Sequence, residues 1–489
     1  MPVLIVVNNA SEWPFHIPGV AVVDAKSYLT KPEYGELRNA KVFNLCRSYR
    51  YQSLGYYVTL LATARGHKPL PNIMTIQDMK SQTVVRFVSD DLDDLIQDSL
   101  APIESDKFTL SIYFGRNLAR RYDRLSLHLF NLFQAPLLRA QFTRNGKWQL
   151  RQIGPVPVDG IPSQHRSFVV DVATEHFAGR RTAIRRRHPQ KYDLALLVSA
   201  EDPLPPSDEK AIERFVRAGE VCGLHTDLIG RDDYARLAEF DALFIRETTA
   251  VSHHTFRFAR RAAMEGLVVV DDPESILRCS NKVYLAELLS RHKVRIPRTV
   301  IVNKDNIDSV GNELGFPFVL KQPDAAFSLG VVKVESQAML DDCADKFLAK
   351  SDLLIAQEFL PTIYDWRVGI FDRQPLFACK YHMVPDHWQI IKNESSGKRR
   401  YGRTETFPVQ QAPRQVINTA LRAANLIGDG LYGVDIKQSG RNCYVIEIND
   451  NPNIDAGVED AFLKAELYTR MMEVFLERIE ETKAGKRIP

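Results

Sequence analysis

Residues 431–460, LYGVDIKQSGRNCYVIEINDNPNIDAGVED, read as two strands joined by a tight turn, with acidic residues set among apolar ones. Side chains at i and i+2 share one face of a strand, so Glu447 and Asn449 point the same way. With the turn centred near Arg441, Asp435 lies opposite Glu447 on that face. Like charges opposed in a ladder repel. Burying them between Val434, Ile436, Ile446 and Ile448 demands neutralisation. A hard divalent cation supplies it, because carboxylate and amide oxygens are the ligands Mg2+ prefers and Mg2+ commonly bridges substrate phosphates. The plainer alternative is two solvated strands with unrelated acids, against which the apolar flanks argue.

At 489 residues the chain is too long for one typical domain. A net charge of +3 gives no case for nucleic acid or an anionic membrane as partner. The apolar run Val3–Val7 is too short for a secretory core, and no span reaches transmembrane length. Six scattered cysteines (Cys46, Cys222, Cys279, Cys343, Cys379, Cys443) form no CxxC pair, which fits a reducing cytoplasm. No internal repeat is visible.

Residues 1–165 form a first block of mixed pattern, opening on the strand MPVLIVVNN. A basic segment within 166–191, GRRTAIRRRHPQK, reads as a linker or as a landing strip for an anion. From Tyr192 to about 275, strands such as YDLALLVS and DALFIRE alternate with helices such as SDEKAIERFVRAGE, capped at Ser207. That alternation predicts a small doubly wound α/β sheet. From 276 to 485, short strands in quick succession predict an α+β region with antiparallel hairpins.

Several residues in this last region carry chemistry. Lys321 lies on the strand FVLKQ, ahead of a small-residue loop, Ala325–Gly330. Such a loop folds over phosphates, or is an ordinary hairpin connection. Lys282 near a helix start sits against the dipole, at home there beside a bound phosphate and otherwise a surface lysine. AQEFL at 356–360 offers backbone groups to a purine edge, or is a buried strand edge. Asp365 and Arg367 share a strand face, and an arginine there suits charge stabilisation at a transferring phosphoryl group. The basic stretch 380–407 supplies Lys380, Lys392, Arg399, Arg400 and Arg403, as a mobile anion-binding loop or as a disordered surface loop.

Together these segments resemble the ATP-grasp superfamily, and within it the RimK-like glutamate ligases, over roughly residues 192–480. The resemblance implies an ATP-grasp fold of two α+β lobes, at about 298–356 and 357–482, behind the doubly wound domain and an extra N-terminal α+β domain. It implies ATP and two Mg2+ (or Mn2+) ions as cofactors, with Asp435, Glu447 and Asn449 as metal ligands. Lys282, Lys321, Ser328, Gly330 and Lys380 would contact phosphates, and Gln357, Glu358, Phe359 and Leu360 the adenine. Asp365 and Arg367 match the family's catalytic Asp-x-Arg element. Arg246, Arg367, Lys392 and Asn451 would face the substrate. The family ending is often Asn-x-Ser-Pro-Gly, whereas residues 449–453 are Asn-Asp-Asn-Pro-Asn. The implied reaction joins a carboxylate, on a peptide or small molecule, to an amino acid through an acyl phosphate. A homo-oligomer is the expected assembly. The alternatives are a ligase for a small-metabolite dipeptide and a non-catalytic ATP-binding module.

Overall fold

The computed structural model describes residues 2–13, 17, 19–37, 40–178, 191–324, 330–393 and 399–486. The chain divides into two compact units, Met1–Pro189 with Asp232–Glu239, and Gln190–Arg231 with Phe240–Pro489.

In the first unit β1 (Val3–Val7), β2 (Ala21–Asp24), β3 (Lys41–Asn44) and β4 (Lys68–Leu70) pair in parallel, in the order β2-β1-β3-β4. The wholly apolar VLIVV suits a sheet covered on both faces. Ile5 and Val7 enter one apolar cluster, Leu4 and Val6 another. An antiparallel sheet of β5 (Lys107–Tyr113), β6 (Leu137–Asn145) and β7 (Lys147–Pro155) packs on helices Gln82–Asp91 and Asp123–Leu132. Helix Arg166–Ala178 buries Val169, Val172, Ala173 and Phe177 in this unit. Residues 166–178 are therefore core, not the start of the linker expected over 166–191; the basic residues 179–190 lie outside the described residues.

The second unit opens with β8 (Tyr192–Leu197), β9 (Leu224–Ile229), β10 (Ala242–Ile245) and β11 (Val268–Val270), parallel and ordered β11-β10-β8-β9. The cap of helix Glu209–Val221 is Asp208, whose carboxylate accepts the Ala211 N–H. Ser207, expected in that role, is buried and donates to the Ile454 carbonyl at 2.9 Å.

These two parallel sheets have one design. In each, the chain lays its second strand on one side of the first and its third and fourth on the other. Helices Leu54–Ala64 and His254–Met264 follow the third strand, each of 11 residues. Gly66 and Gly266 then turn the chain at φ 69° and 77°. Asn72 and Asp272 each cap a further helix by accepting the N–H three residues on, from Thr75 and Ser275. GHKPLPNIMTIQDM (66–79) and GLVVVDDPESILRC (266–279) thus do the same work 200 positions apart. The molecule contains the internal repeat that its sequence did not display.

β12 (Thr299–Val302), β13 (Phe318–Lys321), β14 (Val331–Val334) and β15 (Leu354–Glu358) form an antiparallel sheet, ordered β12-β15-β13-β14. The larger antiparallel sheet uses β16 (Tyr364–Phe371), β17 (Gln374–His382), β20 (Thr404–Phe407), β21 (Leu431–Ser439) and β22 (Asn442–Asp450), ordered β20-β17-β16-β21-β22. A small ribbon, β18 (Ile391–Asn393) with β19 (Arg399–Tyr401), lies between β17 and β20 in sequence. One face of the large sheet sends Trp366, Val368, Val434 and Ile436 against Val416 and Ala420 of helix Arg414–Ala424. Alternation sends their neighbours Arg367 and Asp435 to the other face. No helix among the described residues is long and apolar enough to cross a membrane.

Candidate active site

The hairpin of β21 and β22 turns through Gly440 and Arg441, with Ser439 paired to Asn442. Continued unshifted, that register would set Asp435 against Ile446 and turn Glu447 to the opposite face. A bulge between Asp435 and Ile436 corrects it, and Asp435 pairs with Glu447. The acids face each other because of the bulge, not because the turn is centred on Arg441.

Cations neutralise both acids. Arg367 lies beside Asp435 in the neighbouring strand. Its Nε and Nη2 donate to the two Asp435 oxygens, each at 2.7 Å. This is the fork geometry that suits carboxylates. Burial opposes the charge on Arg367, yet Asp435 outweighs it and holds the guanidinium well above its ordinary pKa. Burial also lifts Asp435 above the usual carboxylate range. The two short bonds decide the matter, and the pair is ionised. Lys282 Nζ stands 2.8 Å from Glu447 Oε1. Burial would raise Glu447, but Lys282, with Lys321 and Arg367 beyond it, holds the acid below its ordinary range. Asn449 completes the cluster, with Nδ2 3.3 Å from Asp435 Oδ2. Gly433, paired with Asn449, has no room for a side chain, since a Cβ would meet Pro452 Cβ at 2.7 Å. That close approach seats the 449–453 loop on the sheet.

The two lysines arrive from different elements. Asn281 caps helix Lys282–Arg291 by accepting the Val283 and Tyr284 N–H groups. The Lys282 N–H donates to the Pro323 carbonyl at 2.9 Å, tying this helix start to the segment after β13. Lys321 is buried at the end of β13, and its Nζ donates to Gln357 Oε1 at 2.7 Å. Burial pushes Lys321 down to about 8, against the pull of Glu447 and with Lys282 reinforcing it. Gly330 adopts φ 67° and accepts the Gln322 N–H at 2.9 Å. Ser328 and the Lys392 side chain lie outside the described residues. Beyond Gln357, Glu358 accepts the Arg298 N–H at 3.3 Å, and Phe359 packs edge-on against Trp388 with Lys333 4.7 Å above its ring. Leu360 follows, half-buried.

Asp365 is held by Lys437 at 2.7 Å and by Thr362 at 2.8 Å. Sequence reasoning missed Lys437, although it lies two residues from Asp435 on the same strand. Tyr381 was also missed. The Arg367 guanidinium lies 5.0 Å from its ring, and its hydroxyl donates to Glu459.

Three expectations need correction. Lys380 pairs in register with Trp366, so strand alternation places it on the face away from Arg367. Its Nζ sits 4.5, 4.9 and 5.0 Å from the rings of Tyr364, Trp366 and Phe407, a cation–π cage and not a phosphate site. Arg246 does not face a substrate. It is 1% exposed, and its donors go to Ser207 Oγ, Asn451 Oδ1 and the carbonyls of Pro206 and Pro452. Asn451 is spent likewise, accepting from Arg246 at 2.6 Å and donating to the Glu247 carbonyl at 2.7 Å. Both residues fasten the 451–452 turn from behind.

Residues 279–474 match the RimK-like ATP-grasp domain, and residues 25–172 match the RimK-like ATPgrasp N-terminal domain. A probable alpha-L-glutamate ligase of Vibrio vulnificus is 28% identical over 267 residues, covering 51% of this chain and 85% of that protein. A probable alpha-L-glutamate ligase of Teredinibacter turnerae is 28% identical over 235 residues, 47% of this chain and 75% of that protein. Among solved structures, a RimK domain ATP-grasp protein from Sphaerobacter thermophilus is 16% identical with a TM-score of 0.44, over 57% of this chain and 98% of that one.

Proposed function

Because the chain belongs to the RimK-like ATP-grasp family, ATP-dependent ligases that join a carboxylate to an amine, we propose that its amine is glutamate or a similar amino acid and that the carboxylate it is joined to belongs to a peptide or small molecule. The observation that carries this reading is the meeting of Arg367–Asp435, Lys282–Glu447, Asn449 and buried Lys321 on one sheet face and its margin. The naming of the two relatives supports glutamate.

The chain's part is positioning and electrostatics, as phosphoryl transfer requires. Lys282 and Lys321 hold the ATP phosphates, and the 357–360 segment receives the base. A carboxylate oxygen of the substrate attacks the γ-phosphorus. The bond to the β–γ bridging oxygen breaks, ADP leaves and an acyl phosphate forms. Arg367 offsets the charge that develops on the transferred group. The amine then attacks the acyl carbon, phosphate departs and the amine proton is lost to solvent. The oxygen donors of Asp435, Glu447 and Asn449 fit a hard divalent cation, since Lys282 and Arg367 already stand where those acids call for positive charge. When bound, Mg2+ there supplies neutralisation of the β- and γ-oxygens.

The test is ADP release with ATP and Mg2+, screening each amino acid against pooled carboxylates and peptides. Glutamate should stimulate release above all others. Tight ATP binding with no stimulation by any amino acid would overturn the assignment.

A further inference from the structure

Glu247 and His253 lie in the turn between β10 and helix His254–Met264, His254 opens that helix, and one ligating atom from each falls within 4.8 Å of the others. The chain's jump across the sheet makes the carboxyl ends of β8 and β10 a topological switch point, the crevice where open α/β sheets take ligands. Glu247 and His254 are buried, 4% and 8% exposed, while His253 keeps partial access to solvent. His254 Nε2 and Glu247 Oε2 are 3.0 Å apart. That separation is close to the donor spacing of about 3.3 Å that tetrahedral zinc sets at bond lengths near 2.0–2.1 Å, so a metal would replace the proton they share.

The hydrogen bonds of His253 bear on its tautomer. Its Nδ1 is 3.1 Å from Thr255 Oγ1, and the Thr255 hydroxyl donates its one proton to the Thr248 carbonyl at 3.2 Å. Nδ1 must therefore carry the hydrogen, which leaves the Nε2 lone pair for a ligand, in the arrangement that outer-shell partners impose on metal-binding histidines.

The repeat in the first unit shows that the fold does not ask for these residues. There, Ser53 stands at the same cap position and its hydroxyl accepts the Tyr56 N–H. His253 makes no side-chain cap bond at all. The corresponding turn, residues 45–53, is LCRSYRYQS and has no His, Asp or Glu. The second copy thus gives up a helix cap and buries a carboxylate against an imidazole where the first copy needed neither.

We propose that Glu247, His253 and His254 form a site for a divalent transition metal of the zinc class, with a fourth position open toward solvent. Imidazole and carboxylate donors suit such an ion and distinguish it from the all-oxygen set at Asp435. The Glu247 carbonyl also receives Asn451 Nδ2, so the ion would brace the turn that starts at Asn451, directly after the strand that carries Asn449. This site does not depend on the identity of the ligase substrates.

The full-length protein, stripped with chelator and held in saturating Mg2+, is titrated with Zn2+ by calorimetry and with Co2+ by visible absorption. One Zn2+ per chain should bind, Co2+ should give the bands of a tetrahedral site, and zinc should raise the Tm. His253→Ser copies the cap of the first unit. It should keep or raise the metal-free Tm while losing zinc affinity by more than about 10-fold, as should His254→Gln. No zinc uptake against Mg2+ by the unmodified protein, or unchanged affinity in either variant, would overturn the proposal.

Discussion

Arg367→Met tests the electrostatic centre of the site. The substitution keeps an unbranched apolar stem but removes both 2.7 Å bonds to Asp435. Asp435 then remains with Glu447 opposite, at a side-chain exposure of 15%. Removing one partner of a buried pair costs about 3–5 kcal/mol, because the other charge is left uncompensated. Burial already lifts Asp435 and Arg367 opposes the lift, so without Arg367 the acid protonates more readily and the loss should shrink as pH falls. Asp435→Asn strands Arg367 and should cost a similar amount, whereas the double variant loses both charges together. Urea unfolding of the four proteins, followed by circular dichroism and tryptophan fluorescence, should give a coupling energy of about 2–3 kcal/mol. In the same set, kcat for ADP release should fall about 100- to 1,000-fold in Arg367→Met, the size of losing one preorganised charge donor. Additive effects, with coupling under about 0.5 kcal/mol, would refute the reasoning even if activity were lost.

The remaining predictions concern protonation and the faces of the sheet. Lys321, held at about 8 by burial, must be protonated to meet phosphate, so the KM for ATP should rise as pH increases through about 8; Lys321→Met should flatten that rise, and a flat profile in the unmodified enzyme contradicts the assignment. Lys380→Met should leave kcat within about threefold while lowering stability by about 1–2 kcal/mol through loss of its aromatic cage; a collapse of activity with intact stability would return Lys380 to the phosphates. His225 is raised to about 9, since Asp193 and Asp227 outweigh its burial. Its stabilising contribution is complete below the unfolded value near 6.5, and is lost as pH rises through about 9. His225→Asn should therefore destabilise by about 1–2 kcal/mol at pH 6, discounted for partial exposure, and by little at pH 10.

What the sequence disclosed followed from how local the signals were. The hairpin at 431–450 was legible because strand period and flanking apolar residues fix a face, and Lys282, Lys321 and Arg367 were legible by their order around it. The facing of Asp435 and Glu447 was anticipated for an incomplete reason. A bulge is a one-residue event that composition does not announce. Lys380 was misplaced because 380–407 read as one polar loop, while β17 runs to His382 and parity sends Lys380 to the aromatic side. Arg246 and Asn451 look like substrate residues in one dimension, and only packing reveals that they bond to each other. The repeat escaped notice because its two copies keep caps, turns and apolar positions but few identities: 66–79 and 266–279 share little beyond the glycine and one isoleucine. The pairing of Lys437 with Asp365 needed the neighbouring strand, since neither residue is near the other in sequence.

The measurement that bears most directly on the whole account is Mg2+-dependent ADP release by Glu447→Gln, with circular dichroism and Tm showing the fold retained. Glu447 faces Asp435 and holds Lys282 at 2.8 Å, so the neutral amide removes one oxygen charge from the acid set and releases the lysine. The account predicts release at the level of the uncatalysed background with any amino acid and carboxylate present. Turnover like that of the unmodified enzyme would contradict it.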